Sequence, residues 1–148
     1  MSLNNIFDIA GSGMTAQSVR LNTTASNIAN ASSAASNTED VYRARKPIFA
    51  AIQHEASIEH DMQHINTMSE HASHGVHVHR IVESEAEYDM RYEPNHPLAD
   101  EKGYVLYPNV NVVEEMADML SASRGYQTNV DVMDAAKTMM QRILTLGQ

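Results

Sequence analysis

The chain has 148 residues, which is enough for one domain or for one small domain carried on long helices. Its formal net charge of −9 at pH 7 argues against a nucleic-acid-binding protein, because such proteins cluster basic residues on one surface. The absence of Cys excludes a disulfide framework and a thiol catalyst. No segment approaches the roughly 18 consecutive apolar residues of a membrane-spanning helix.

The first long element is a helix predicted from Leu3 to Ala31, where apolar and small residues recur at steps of three and four. Between Asn22 and Thr38 the sequence is almost entirely Asn, Ser, Thr and Ala, which favour helices weakly and offer little apolar surface to bury. This segment is therefore either frayed or a helix that forms fully only when neighbouring subunits cover it. We favour the second interpretation.

The middle of the chain carries strand signals. Tyr42–Ile52 reads as a short strand or hairpin arm, in which Pro47 marks an edge or a bend. Apolar and polar residues alternate from Gly75 to Glu93, which predicts two strands joined near Ser84–Glu87. A last short strand is expected at Tyr104–Tyr107.

Seven of the eight histidines lie between His54 and His79, and residues 54–74 are expected to be a loop, a short helix or an irregular arm. His60 and His64 would share one face of a helix, and His77 and His79 share the polar face of the strand. Neither pair completes the three or four ligands of a zinc site at a usual spacing. We therefore interpret this arm as solvated surface and expect no metal site.

The dominant element is the C-terminal helix predicted from Val112 to Leu146. Asn111 can cap its first turn, with Glu114 as a reciprocal partner. At about 1.5 Å per residue such a helix is roughly 50 Å long. A helix of that length in so small a chain needs a partner along most of its surface.

Together these elements predict an α+β fold in which two long terminal helices pair as an antiparallel, coiled-coil-like core domain around a small β-rich middle domain. The expected divisions are residues 1–35, residues 36–108 with the His-rich arm at 54–79, and residues 109–148. Neither helix can bury its whole apolar stripe in a two-helix hairpin, so the remainder is expected to contact neighbouring subunits. The predicted assembly seam, defined by these apolar residues, is Leu3, Ile6, Met14, Leu21, Ile28, Val112, Met116, Met119, Tyr126, Val130, Met133, Met140 and Ile143.

Motifs of catalysis are absent from the sequence: there is no nucleophile elbow, phosphate loop or dinucleotide fingerprint. Glu114, Glu115 and Asp118 are interpreted as acidic residues favoured by the dipole at a helix N-terminus rather than as acid–base catalysts. We predict no catalytic, cofactor-binding or metal-binding residue and no cofactor, and therefore no enzyme.

Two terminal motifs carry a resemblance to a known family. Residues 12–22 (SGMTAQSVRLN) and 25–30 (ASNIAN) resemble the N-terminal signature of bacterial flagellar axial proteins, the rod, hook and hook-associated proteins. Residues 123–129 (SRGYQTN) resemble their C-terminal signature, although Gly125 and Thr128 stand where Ala is usual. The positions matched to the family motif are Asn27, Asn30, Tyr126, Gln127 and Asn129.

Within that group, residues 92–100 (YEPNHPLAD) and 108–116 (PNVNVVEEM) are similar to the proximal-rod proteins. The resemblance implies a structural subunit of the basal-body rod, located in the periplasm and delivered by the flagellar type III export apparatus without a cleavable signal peptide. It implies as partners other copies of the chain and the rod proteins FlgB, FlgF, FlgG and FliE.

Two other functions are weighed against this one. The first is a His-dependent metal-binding or hydrolytic protein that uses His60, His64, His77 and His79. The second is a cytoplasmic two-helix adaptor, which would remain inside the cell where a rod subunit is exported.

Overall fold

A computed structural model describes residues 3–52 and 75–146, with the side chains of residues 3 and 146 left undescribed. The elements in chain order are helix α1 (Leu3–Asn30), strands β1 (Arg45–Ala51), β2 (Val76–Glu83), β3 (Asp89–Tyr92) and β4 (Tyr104–Tyr107), and helix α2 (Val112–Leu146). The predicted α+β class and the order of elements are confirmed. The expectations for residues 54–74 lie outside the described residues. Neither of these helices is both long enough and apolar enough to cross a membrane.

The two helices pack against each other in opposite directions. Gly13 on α1 lies against Asn129 on α2, and Gln17 lies against Gly125. One turn further along, Arg20 forms an ion pair with Asp118, with 2.7 Å between Nη2 and Oδ1. Because the partner number falls as the α1 number rises, the pair is antiparallel, as predicted. The 28 and 35 residues correspond to lengths of about 42 and 52 Å.

Helix α1 is continuous through its two glycines and its polar second half. Of the two interpretations left open for residues 22–38, fraying is not found as far as Asn30, where the helix is continuous and is covered by other parts of the same chain. Thr23, Thr24 and Asn27 are buried, and both threonine hydroxyls donate to carbonyls of the preceding turn, including that of Arg20. The favoured interpretation, that the helix forms fully only when neighbouring subunits cover it, stays a prediction.

The strands form two separate antiparallel ribbons. Strand β1 pairs with β2 from Arg45↔Glu83 to Ala51↔Val76, with a register shift between Ile48 and Phe49. Strand β3 pairs with β4 from Asp89↔Tyr107 to Tyr92↔Tyr104. The alternating region Gly75–Glu93 thus contains two strands, as predicted, and each of them pairs with a different partner.

The second ribbon is tied to the chain that leaves α1. The backbones of Ala35 and Leu106 exchange two hydrogen bonds, of 2.9 and 3.2 Å. Val105 on the same strand is fully buried. This ribbon is therefore held by the segment that follows α1, and its last strand leads through residues 108–111 into α2.

Helix α2 begins with the predicted cap at Asn111, whereas the carboxylate of Glu114, predicted as its reciprocal partner, pairs instead with Lys46 at 3.4 Å. Oδ1 of Asn111 accepts hydrogen bonds from the backbone N–H groups of Val113 at 3.1 Å and Glu114 at 3.4 Å. The carbonyl of Asn111 accepts the first helical hydrogen bond, from the N–H of Glu115 at 3.0 Å. Two of the four N–H groups that a helix start leaves without partners are thus satisfied by one side chain.

The interior of the described chain is thin and consists mainly of small residues. Six of its buried hydrophobic positions are Val105 and the alanines Ala10, Ala16, Ala44, Ala122 and Ala136. Val105 and Asn27 are the largest side chains that are fully enclosed. Each alanine buries less apolar area than Leu or Ile would, so close helix approach rather than bulky packing holds the pair together.

The two glycines of α1 should respond to Ala in opposite ways. A Cβ at Gly11 would meet no atom within 4 Å, whereas one at Gly13 would lie 2.9 Å from the Asn129 amide atoms. We expect Gly11→Ala to raise the free energy of unfolding by about 1 kcal/mol, because Ala favours the helix interior. Gly13→Ala should lower it by about 1–2 kcal/mol through overpacking. Urea denaturation followed by circular dichroism measures both, and equal shifts of the same sign would contradict the close approach.

Candidate assembly surface

Asn27 joins helix α1 to the start of strand β1. Its Nδ2 donates to the carbonyl of Arg45 at 2.9 Å, and its Oδ1 accepts from the N–H of Arg45, also at 2.9 Å. The hydroxyl of Tyr42 donates to the same Oδ1 at 2.9 Å. The side chain is 0% exposed, so these three hydrogen bonds take the place of the hydrogen bonds to water that burial removes. The amide acts as an extra strand partner for Arg45.

A second contact fixes the other end of the β1–β2 ribbon on the same helix. The hydroxyl of Ser12 accepts a hydrogen bond from the N–H of Val76 at 3.1 Å and donates to the carbonyl of Ile9 at 2.8 Å. A side chain at Gly75, whose φ is +133°, would collide with Ser12. Along the helix, Ser12 and Asn27 are about 22 Å apart at 1.5 Å per residue. A seven-residue strand spans about 23 Å, so the ribbon fits between the two anchors.

The other family-motif residues lie at different depths. Asn30 donates to the carbonyl of Ser26 at 2.8 Å in the last turn of α1. Asn129 donates to the carbonyl of Gly125 at 2.8 Å and packs on Gly13 between the helices. Gln127 donates to Asp131 on the exposed side of α2, at 3.1 Å, and Tyr126 is 39% exposed. The motif therefore contributes both to the helix interface and to the outer surface.

The face that α2 turns toward α1 differs from the predicted seam over the first half of the helix. The contacts run through Asp118, Ala122, Gly125 and Asn129. Three of these, all but Ala122, directly precede a residue of the predicted seam. All four are small or polar, and Ala136, farther along the helix, is also buried. Four seam residues are exposed and therefore do not form the contact between the two helices of one chain: Val112, Met116, Tyr126 and Ile143.

The remaining seam residues are only partly covered within one chain. This group is half-buried: Ile6, Met14, Leu21, Ile28, Met119, Val130, Met133 and Met140. The side chain of Leu3 lies outside the described residues. Whether the thirteen residues form the contacts between subunits stays a prediction.

An apolar surface on α2 points away from α1. Val113, Met116 and Leu120 are separated by three and four residues, so they share one face of the helix, and they are 76%, 59% and 55% exposed. A second exposed group lies toward the C-terminus at Val132, Met139, Ile143 and Leu144. Contiguous exposed apolar residues on a long helix are typical of protein–protein contact surfaces.

No group of three or more residues suited to hold a metal occurs in the described ranges. The imidazoles of His77 and His79 lie 6.3 Å apart between centroids and are exposed. His60 and His64 lie outside the described residues.

Elsewhere, burial and the hydrogen bond that Tyr107 donates to Glu93 at 3.1 Å raise the pKa of that phenol.

Comparison with known proteins matches both helices. The family model described as "Flagella basal body rod protein" matches residues 7–34, and the model described as "Flagellar basal body rod FlgEFG protein C-terminal" matches residues 101–146. The chain is 48% identical over 148 residues to the flagellar basal-body rod protein FlgC of Escherichia coli O6:H1, covering all of both chains. It belongs to the FlgC family.

Other FlgC relatives agree over the full length. The chain is 45% identical to FlgC of Salmonella typhimurium over 148 residues, and 36% identical to that of Buchnera aphidicola from Acyrthosiphon pisum over 150 residues, with complete coverage in each case. The resemblance to flagellar rod proteins drawn from the motifs, and to the proximal-rod proteins from residues 92–116, is confirmed as membership of this family.

Loss of the Asn27 side chain should destabilise the chain strongly. Asn27→Ala removes three hydrogen bonds, two with the backbone of Arg45 and one with the hydroxyl of Tyr42, which keeps Ser26 as a partner. We therefore expect the free energy of unfolding to fall by about 2–4 kcal/mol. Asn30→Ala is the matched control, since it removes one bond within the helix and should cost below about 1 kcal/mol. Urea titration of both variants tests this. Equal losses of unfolding free energy in the two variants would show that the hydrogen bonds to Arg45 contribute no more stability than one bond within the helix.

Proposed function

We propose that the chain is a structural subunit of the proximal rod of the bacterial flagellar basal body. In this role, subunits pack their terminal helices into a helical tube that transmits torque from the motor to the hook. The observation that carries the proposal is identity of up to 48% over the whole length to FlgC rod proteins, together with a helical pair that leaves apolar faces open.

The physical basis of assembly is the surface that one chain cannot bury. The interface between α1 and α2 uses small residues, which leaves the larger apolar side chains of the predicted seam, such as Met116 and Ile143, on the outside. Covering them requires neighbours along the length of the helices. Head-to-tail contacts between identical or similar subunits that do not close into a ring generate a helical filament. Torque would then pass through many packed helices, with no single residue acting as a site.

The partners we propose are other copies of the chain, the rod proteins FlgB, FlgF, FlgG and FliE, and the flagellar type III export apparatus. The location we propose is the part of the rod that lies in the periplasm. The domain divisions at residues 35 and 108 belong to the same proposal, with the terminal helices in the tube and the β-rich region further out. We also propose that the protein has no enzymatic activity, since its relatives carry the name of a rod component.

Removal of the gene should abolish rod assembly. We expect the deletion strain to lack rods in electron micrographs and to be immotile in soft agar, and the full-length gene to restore both. A version that ends at Asp131 should fail, because it loses the last 15 of the 35 residues of α2 (146 minus 131). A deletion strain that still builds rods and swims would contradict the proposal.

A charge placed on the exposed apolar face should block assembly without unfolding the subunit. Met116→Glu puts a carboxylate among Val113 and Leu120, and a charge in an apolar contact is strongly unfavourable. Ser121→Glu adds the same charge at an exposed polar position of the same helix and is the control. We expect both variants to keep the free energy of unfolding within about 0.5 kcal/mol of the parent. Only Met116→Glu should lose motility; normal swimming would show that this face is not a contact.

A further inference from the structure

The outer face of the β3–β4 ribbon is apolar, although a sheet face open to solvent is usually polar. Directly opposite residues of the two strands share a face, which places Met90 with Leu106 and Tyr92 with Tyr104. Met90, Tyr92 and Tyr104 are 67%, 64% and 43% exposed, whereas Val105, on the other face, is fully buried. We call Met90, Tyr92, Tyr104 and Leu106 the ribbon face. Contiguous exposed apolar residues of this kind are typical of surfaces that another protein covers.

The two tyrosine rings of the ribbon face are held in place by the chain itself. The ring centroids of Tyr92 and Tyr104 lie 5.4 Å apart in an edge-to-face arrangement. The Tyr92 ring also packs against the turn at Gly103, where φ is +82° and an added Cβ would lie 2.9 Å from the ring. Side chains that are already fixed lose little conformational entropy on binding, so the ribbon face is prepared for a contact.

Carboxylates lie beside both ends of the ribbon face. Glu39 and Asp40 line, together with Leu106, a cavity of about 470 Å³ at one end. At the other end, the carboxylate of Asp100 accepts a hydrogen bond from the backbone N–H of Tyr104 at 2.8 Å. Glu101 follows it in the same turn.

This acidic rim, consisting of Glu39, Asp40, Asp100 and Glu101, is exposed. None of its carboxylates forms an ion pair with another described residue. Lys102 is the one cation in the same turns. Four carboxylates against one ammonium leave the surroundings of the ribbon face negatively charged, so the surface favours a partner that is both apolar and basic.

The C-terminal end of α2 has that complementary chemistry, and α1 does not cover it. Because Gly13 lies against Asn129 and the helices are antiparallel, the start of α1 at Leu3 lies opposite about residue 139 of α2. The rest of α2 therefore extends about 10 Å past the start of α1.

Apolar and basic side chains are exposed together on this helix end. Met139, Ile143 and Leu144 are 57%, 59% and 66% exposed. Lys137 and Arg142 are the charged side chains of residues 136–146; both are exposed, and neither forms an ion pair with another described residue. The end of the long helix therefore presents apolar residues flanked by positive charge.

The ribbon face and the end of α2 cannot meet within one chain. About 40 Å of helix separates Val112 from Met139. Strand β4 reaches Val112 through residues 108–111, which span at most about 14 Å, and the strand itself spans about 13 Å. The two surfaces therefore belong to opposite ends of the subunit, which is the arrangement that head-to-tail contacts in an open helical assembly require.

We infer that the ribbon face receives the C-terminal end of the long helix of an adjacent flagellar rod subunit, whose apolar residues are flanked by Arg or Lys as in this chain. The inference rests on the proposed function, because only assembly in a rod brings such a helix end to the ribbon. Apolar residues of the incoming helix cover Tyr92 and Tyr104, and its cations pair with the acidic rim. The rim also repels the ribbon faces of other copies, so it selects a helix end over a second ribbon.

Cross-linking identifies the occupant. A photoreactive phenylalanine analogue in place of Tyr104 is irradiated in motile cells, and the cross-linked peptides are sequenced by mass spectrometry. We expect a link to the last turns of the C-terminal helix of a flagellar rod subunit, within one turn of an Arg or Lys. The control places the analogue at Glu87, which lines a cavity with Asp89 and Arg91 on the other face of the ribbon, and should give no link to a helix end. A link from Tyr104 to another region, a link to a protein outside the rod, or no link would overturn the inference.

Reversal of the rim charge should block assembly without unfolding the subunit. In a deletion strain complemented with the double variant Glu39→Lys and Glu101→Lys, we expect at least a tenfold fall in the number of cells with complete rods. The milder pair Glu39→Gln and Glu101→Gln should give an intermediate fall. The double variant Glu85→Lys and Glu87→Lys makes the same charge change at exposed positions between β2 and β3 and should build rods at the parental level.

Urea denaturation of the purified subunits separates a lost contact from a lost fold. We expect the urea midpoints of all three variants to equal that of the parent, because every substituted residue is exposed. Parental rod numbers in the Glu39→Lys and Glu101→Lys strain would overturn the inference. An equal fall in the control strain, or a lower urea midpoint that accompanies the fall, would also overturn it.

Failure of the inference and failure of the proposed function are distinguishable. If the deletion strain lacks rods but the strain with the reversed rim builds them, the rod function stands and the ribbon face does not need its acidic rim. If the deletion strain builds rods, the rod function itself is wrong, whatever the ribbon face contacts.

Discussion

The contact on which the rest of this structure depends is the buried amide of Asn27. A polar side chain enclosed at the end of a helix costs stability unless its hydrogen-bonding atoms have partners. Asn27 meets that condition by bonding both backbone groups of Arg45 and the hydroxyl of Tyr42. Only one placement of β1 on α1 satisfies these bonds, so the amide sets where the ribbon begins. Ser12, about four turns away along the helix, then sets where it ends.

Small residues between the helices have a consequence for the outer surface. Where Ala122 and Gly125 meet Gln17 and its neighbours, the helix axes approach closely and little apolar area is buried. Larger apolar residues on the same helices then remain outside, Met116 among them. A subunit built this way is held in shape by close contact and by hydrogen bonds, and it keeps its apolar surface for neighbours. Small residues for internal contacts and large apolar residues for external ones are what a subunit of a rod assembly requires.

The elements could be read from the residue pattern with few errors. The limits of α2, the cap at Asn111, the strand around Pro47 and the short strand at Tyr104–Tyr107 follow from local periodicity and local hydrogen bonding, which are properties of neighbouring residues. For the second half of α1 the sequence left two interpretations open, because the helicity of this segment depends on burial by distant parts of the chain, which local propensity does not contain. The face of α2 that meets α1 contains Ala122, Gly125 and Asn129 rather than large apolar residues, so apolar periodicity alone does not locate it.

Sequence alone determined the α+β class, the two long helices and membership of the flagellar rod proteins, because periodicity and short motifs are written in consecutive residues. Tertiary structure alone decided which face of α2 meets α1, that β2 and β3 belong to different ribbons, and that Asn27 holds Arg45. It also decided that Glu115, which by position is an ordinary acidic residue in the first turn of a helix, is buried, with no hydrogen-bond partner for its Oε2 among the described residues. The physical reason is the same in each case: burial and pairing depend on residues about 20 to 100 positions apart, and no local pattern records which of them meet.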